Sequence, residues 1–209
     1  MPASGVVFWA LVILVLIYSI ILHEIAHGIA AFWLGDDTAA KAGRLSLNPI
    51  KHVHPVGTLL VPFLLYITHS PVLFAWALPV PVNPLKFTKL QNPRIAMALC
   101  ALAGPLANLL LAMISCLVMR TFSQNPYVLI IAVYGLKINL LLAAFNLMPV
   151  PPLDGASIAG LFMPDALYKR YMQIARYGTI VLLLLLFSGF FVYILYPMME
   201  FLMRLICGM

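Results

Sequence analysis

ILHEIAHGIAAFWLG, residues Ile21–Gly35, sets two histidines and a glutamate inside an apolar run that extends from Val6 to Trp33. Such a run exceeds the roughly 20 apolar residues needed to cross a hydrocarbon core about 30 Å thick. An ionisable side chain at that depth is costly, so three together point to function. On a helix, positions i and i+4 share a face, so His23 and His27 aim their imidazoles at one point while Glu24 projects beside them. This is the H-E-x-x-H arrangement of two zinc ligands and a general base. The competing explanation is a pair of histidines bonded to backbone carbonyls or placed at a wet helix end. Three ionisable groups in this order favour the metal.

The rest of the chain supports a lipid setting. Of 209 residues, 64% are hydrophobic and only 9% charged, with a mean hydropathy of +1.06. Soluble domains carry about a quarter charged residues, so the composition is that of an integral membrane protein. The length suits a single transmembrane domain over residues 1–209, without a sizeable soluble appendage. The net charge of +6, 12 basic against 6 acidic residues, reads as contact with lipid headgroups rather than nucleic acid. Cys100, Cys116 and Cys207 all lie in apolar sequence and are expected as buried free thiols. The N-terminal run has no basic leader, which predicts a retained helix rather than a cleaved signal.

Five stretches are long and apolar enough to span: Val6–Trp33, Pro55–Leu78, Ile95–Met119, Tyr127–Leu147 and Tyr177–Pro197. The last twelve residues either extend the fifth helix or lie along the interface. The alternation in GRLSLNP (Gly43–Pro49) predicts a short strand near the membrane surface. Pro79, Pro81, Pro84 and Pro93 exclude a helix from Leu78–Pro93, which is expected to be extended or re-entrant. The predicted fold is therefore all-α and polytopic: a bundle of about five transmembrane helices with a short β or extended element and a Pro-rich loop near the surface. With five alternating spans, Lys41, Arg44, Lys51 and Arg120 fall on one side, and Lys86, Lys89, Arg94, Lys169, Arg170 and Arg176 on the other. A re-entrant loop would overturn that count, so orientation stays open.

Catalytic zinc takes three protein ligands and an open position. Six acidic residues make the search short. Glu24 is committed as base, Asp36 and Asp37 follow the first helix too closely, Asp165 sits in a connector, and Glu200 is near the C-terminus. Asp154, in FNLMPVPPLDGAS, is the best candidate. Pro149, Pro151 and Pro152 must unwind the backbone there, and a divalent cation would make an anionic side chain tolerable. The alternative role for Asp154 is to cap a helix starting at Gly155.

HEIAHG, GPLANLLLA and NLMPVPPLDG, in this order, resemble the site-2 protease family of intramembrane zinc metalloproteases, most closely its small prokaryotic members without PDZ or CBS domains. The resemblance covers roughly Ile21 to Ser157. It implies His23, His27 and Asp154 as ligands of one Zn2+, Glu24 as catalytic base, and Asn146 as a group that holds substrate or stabilises the oxyanion. The alternative for Asn146 is an amide bonded to a neighbouring helix. The family more usually has an aspartate where His54 stands and a lysine where Leu78 stands.

Ala103 and Ala107 form a small face that would let their helix approach the metal helix, and Asn108 is expected to hydrogen-bond between helices. His52 and His54 invite a second metal site, although paired histidines in a loop are more often solvated. The expected function is hydrolysis of peptide bonds in or near transmembrane segments of membrane-protein substrates, in a multi-pass protein of a prokaryotic cell membrane. The Leu78–Pro93 and Gly43–Pro49 stretches are candidates to pair with an unwound substrate as an added strand. A di-iron enzyme would need more histidines, and a haem bundle would need them on facing helices. The remaining alternative is a membrane metal-binding protein, either a non-proteolytic relative or a transporter. Transport predicts polar residues along several helices.

Overall fold

The structure, a computed structural model, describes residues 5–69, 75–122 and 124–208. Its three longest helices are α1 (Gly5–Trp33), α4 (Pro93–Thr121) and α5 (Pro126–Asn146), each long and apolar enough to cross a membrane. Between and after them lie α2 (Thr38–Lys41), α3 (Pro55–Ile67), α6 (Asp154–Ala159), α7 (Asp165–Gln173), α8 (Gly178–Phe187) and α9 (Phe190–Cys207). The protein is an all-helical membrane protein.

One dipeptide starts four of the helical elements, among them two of the three longest helices. In Asn92-Pro93 the asparagine Oδ1 accepts the N–H groups of Arg94 and Ile95, and in Asn125-Pro126 those of Tyr127 and Val128. Asn48-Pro49 and Asn83-Pro84 open single 3₁₀ turns in the same way. Asparagine meets the orphan donors of the first turn, and proline at the first helical position has no N–H to leave unpaired.

Two of the five predicted spans take another form. Pro55–Leu78 is not a single crossing. At 1.5 Å per residue α3 reaches only about 20 Å, short of a core about 30 Å thick, and residues 70–74 lie outside the described residues. The two ends of the segment also meet: Leu78 N–H donates to His52 O (2.9 Å) and Trp76 N–H to Gly57 O (3.2 Å), while the Thr58 hydroxyl donates to Trp76 O (2.8 Å). The chain leaves α1 and returns to it. Tyr177–Pro197 is interrupted at Ser188–Gly189, where Gly189 adopts φ +76°. Helix resumes as α9 and runs to Cys207, so the last residues do extend it.

The predicted strand in Gly43–Pro49 is absent. Residues 44–48 form a loop, and no strand occurs among the described residues. Arg44 explains part of this, because its guanidinium reaches across to Leu78 O (2.7 Å) and Pro79 O (3.3 Å). That bond fills acceptors which a paired strand would have used. Residues 75–83 hold no helix or strand, as the prolines require for helix.

Cys116 and Cys207 are joined in a disulfide with Cα atoms 6.0 Å apart, contrary to the expectation of three free thiols. Cys100 alone is free and buried. The Arg120 guanidinium also donates to Cys207 O, so the end of α9 is pinned to the far end of α4.

Helix directions follow from the contacts. His27 meets Cys100 and His23 meets Asn108, so α1 and α4 are antiparallel. Asn108 meets Asn139, and Ser115 lies against Gly135, so α4 and α5 are antiparallel too. The returning hairpin then regroups the charges. Lys41, Arg44, Lys51, Lys86, Lys89, Lys169, Arg170 and Arg176, together with Arg94 in the first turn of α4, all lie at the C-terminal end of α1. Arg120 and Arg204 belong to the opposite end, and Lys137 lies half-way along α5.

The Pro-rich connector is strapped to the end of α1. The fully buried Asp36 carboxylate accepts Asn83 N–H (2.6 Å) and the Thr38 hydroxyl (2.5 Å). Asp37 pairs with Lys41 (2.5 Å) and Lys86 (3.0 Å). Hydrogen bonds from those two ammonium groups pull the Asp37 carboxyl down to about 2. A depressed carboxyl stabilises the folded form above its unfolded value near 3.8 and loses that contribution as pH falls towards 2. Amide exchange in residues 83–89 should accelerate over that window in the parent and stay flat in Asp37→Asn.

Candidate metal centre

α1 carries His23 and His27 one turn apart, and close packing of α4 positions them. Gly104 is the decisive residue. A Cβ there would lie 2.4 Å from His27 Nε2 and 2.6 Å from His23 Cε1. The close approach therefore runs through Gly104, one residue out of phase with the Ala103/Ala107 face expected from the sequence. Gly28 serves the other side of α1, where a Cβ would collide with Leu45 and touch Val80.

Asp154 arrives from the broken end of α5. The chain turns through Met148–Leu153, with Val150 N–H bonded to Met148 O (2.8 Å) and Leu153 N–H to Val150 O (2.9 Å). Gly155 lets α6 press against that turn, since a Cβ would lie 2.2 Å from Leu147 O. Asp154 is itself the first residue of α6 and makes no capping bond, so the capping alternative fails. Its side chain points instead at the two histidines.

The three candidate ligands converge. Asp154 Oδ2 is 3.2 Å from His23 Nε2 and 3.3 Å from His27 Nε2. The two Nε2 atoms are 3.0 Å apart. Each imidazole spends its other nitrogen elsewhere: His27 Nδ1 donates to Cys100 O (2.8 Å), and His23 Nδ1 faces Asn108 Oδ1 (2.6 Å). A carbonyl oxygen only accepts, so both Nδ1 atoms carry the proton and both Nε2 atoms present lone pairs. Asp154 Oδ2 is buried and has no hydrogen-bond donor. With both rings neutral, two lone pairs and a carboxylate oxygen facing one another are a donor set suited to a divalent cation. The triangle also matches one face of a tetrahedral zinc site, whose edges are about 3.3 Å for bonds of about 2.0–2.1 Å. The residues present fit one zinc ion.

Glu24 lies beside this triangle and is held by the Pro-rich connector. Its Oε2 accepts Val80 N–H at 2.8 Å. Pro79 and Pro81 have no N–H, so Val80 supplies the single donor of that stretch. Nothing in the sequence pairs these residues, which are 56 positions apart. Asn146 is bonded to its own helix, donating to Leu142 O (2.9 Å), rather than to a neighbouring one.

Two clefts meet at the centre, both bordered by His23, Glu24, Pro79, Asn146, Pro152 and Leu153. One, of about 280 Å³, continues past Val80, Cys100, Asp154 and Ser157. The other, of about 330 Å³, is apolar and runs between Ile20, residues 75–77, Leu142, Phe145 and Leu182.

His52 and His54 do not form a second centre. His52 is buried with Nε2 donating to Ser46 O (2.8 Å), and His54 Nδ1 accepts Gly57 N–H (2.9 Å) as the cap of α3.

The chain is 38% identical over 197 residues to "Putative zinc metalloprotease YwhC" of Bacillus subtilis strain 168, covering 90% of this chain and 85% of that protein. It belongs to that zinc metalloprotease family. "Putative zinc metalloprotease Rip2" of Mycobacterium tuberculosis H37Rv is 30% identical over 190 residues, covering 87% of this chain and 70% of Rip2. The Rip2 of Mycolicibacterium smegmatis is 27% identical over 191 residues, with 90% and 70% covered. No family model matches the chain, and no solved structure matches it. The zinc in the names of these relatives agrees with the donor set built by α1 and α6.

Proposed function

We propose that the protein is an intramembrane zinc metalloprotease of the site-2 type, cleaving peptide bonds in or near transmembrane segments. The observation that carries this reading is the Nε2, Nε2, Oδ2 triangle with edges of 3.0–3.3 Å on apolar helices. His23, His27 and Asp154 would hold the ion. Once bound, zinc supplies Lewis acidity, lowering the pKa of water from about 15.7 to about 7. Glu24 then takes the proton of the attacking water and returns it to the leaving amine. With Oε2 engaged by Val80 N–H, Oε1 is the oxygen that moves the proton. Asn146 has a second amide N–H beyond the one given to Leu142, and we assign it to the developing oxyanion.

The apolar cleft supports this substrate class. A helical segment hides its carbonyls in its own hydrogen bonds and must unwind to be attacked. The cleft beside residues 75–77, Leu142, Phe145 and Leu182 gives unwound apolar residues a place to lie. Gly43–Pro49 is left out of this role, because its own carbonyls are already engaged, Gly43 O by Lys51 and Ser46 O by His52. The basic connectors at the metal end favour that end as cytoplasmic under the positive-inside rule. The three long apolar helices α1, α4 and α5 support the reading of a multi-pass protein of a prokaryotic cell membrane.

Zinc removal tests the reading. Purified protein should contain one zinc per chain and cleave a single-span substrate. A strong chelator should abolish cleavage, and stoichiometric zinc should restore it. Cleavage that survives complete zinc removal would overturn the assignment. Bound zinc without cleavage of any membrane-embedded substrate would favour a metal-binding protein instead.

A further inference from the structure

The two histidines are oriented by different means, and the difference exposes a role for residues remote from the metal. His27 is held by a backbone carbonyl, Cys100 O. His23 is held by the side chain of Asn108, which in turn rests on Asn139 of α5 and Ser19 of α1. Asn108, Asn139 and Ser19 are 0%, 3% and 3% exposed. Three helices therefore place uncharged polar groups in their shared core, in a part of the protein where apolar packing would cost less.

The polarity of this chain of bonds is fixed from its far end. Asn139 Nδ2 donates to Gly135 O (2.8 Å) and to Ser19 Oγ (2.9 Å). Gly135 O is a backbone carbonyl and only accepts, so the NH2 group of Asn139 must face it and Oδ1 must face Asn108. Asn108 Nδ2 then donates to Asn139 Oδ1 (2.7 Å) and to the backbone oxygen of Ser19 (3.4 Å). That leaves Asn108 Oδ1 towards His23 Nδ1 at 2.6 Å. Turning either amide over would set acceptor against acceptor and donor against donor. Every bond therefore runs in one sense, and its last step puts the proton on Nδ1 of His23 and the lone pair on Nε2.

We propose that Asn139, acting through Asn108, is a positioning residue of the metal centre: it sets the tautomer and ring orientation in which His23 accepts a zinc ion. This rests on the zinc reading above. Groups that orient a metal-binding imidazole typically change metal affinity about 10–100-fold when removed. Asn139 touches neither the ion's position nor any candidate ligand, so its effect must pass through Asn108.

Chelator competition on the full-length protein in detergent micelles, reading zinc affinity, separates this role from simple packing. Asn108→Leu should weaken zinc binding about 10–100-fold, and Asn139→Leu should weaken it in the same direction. Asn108→Asp supplies an acceptor whose polarity needs no instruction from Asn139, but it sets a carboxylate oxygen where the NH2 group met Asn139 Oδ1, so N108D should itself bind zinc more weakly than the parent. The decisive comparison is N108D against N108D/N139L. Positioning requires the second substitution to cause no further loss in that background, or to restore affinity by removing the opposed Oδ1. An equal loss from N139L in both backgrounds would show a packing role and overturn the proposal, as would parent-like affinity in Asn139→Leu. If the leucine variants do not accumulate, Asn139→Ala gives the same comparison. Failure of the parent itself to take up zinc would remove the centre, and the relay with it. Zinc in the parent with the wrong pattern in the variants would remove the relay alone.

Discussion

Glu24→Gln is expected to keep its zinc and lose cleavage by about 100–10,000-fold, the usual contribution of a positioned general base. Glutamine has the shape of glutamate and retains a carbonyl oxygen for the N–H of Val80, which Glu24 Oε2 now accepts at 2.8 Å. The connector should therefore stay where it is. What disappears is the ability to take a proton. The check is zinc content and turnover of a single-span substrate, measured on the same preparations. Equal turnover in both proteins would remove Glu24 from the chemistry. Loss of zinc in the variant would make Glu24 a ligand and reopen the donor set.

Gly104→Ala should be nearly as damaging, through one methyl group. The new Cβ would lie 2.4 Å from His27 Nε2, 2.5 Å from His27 Cε1 and 2.6 Å from His23 Cε1, inside any tolerable contact. Neither ring can turn aside without breaking its Nδ1 bond to Cys100 O or Asn108 Oδ1. The expected loss of zinc affinity is about 10–100-fold or more, with cleavage falling in step. Alanine is the better helix former by about 1 kcal/mol, so weak intrinsic helicity will not account for the loss. Equilibrium dialysis against a chelator measures it. Full zinc retention would mean that α4 does not press on the histidines as closely as described.

The reading of α1 shows what a sequence makes plain. Period 3.6 alone places His23 and His27 on one face, and the proline cluster after Asn146 marks where a carboxylate must come in from irregular backbone. Both inferences are local, and the structure brings those three side chains together. Lengths of apolar sequence likewise recover α1, α4 and α5. The same test misreads Pro55–Leu78, because an apolar stretch has the same composition whether it crosses or turns back. Only the bonds between its ends, Leu78 to His52 and Trp76 to Gly57, distinguish the two.

Other features were hidden for related reasons. Prolines read as breaks also act as starts when asparagine precedes them, as at Pro84 and Pro93. The disulfide joins cysteines 91 residues apart, and three isolated cysteines in apolar runs give no sign of partnership. Asn108 is legible as a hydrogen-bonding residue between helices, but not as the partner of His23. Buried polar groups on α1, α4 and α5 were expected of a transporter, yet here they close into a single chain ending at the metal helix. A translocation path would leave them facing an open channel.

The segment 75–83 is tied to α1 on both flanks, through His52 and Gly57 on one side and through Asp36 and Leu34 on the other, with Glu24 gripping its middle. Two ligands, the base and that wall of the cleft are thus bonded into one unit. On the facing wall Leu182 is packed with Ala144, Met148 and Leu153, so the floor of the apolar cleft is continuous with the turn that presents Asp154.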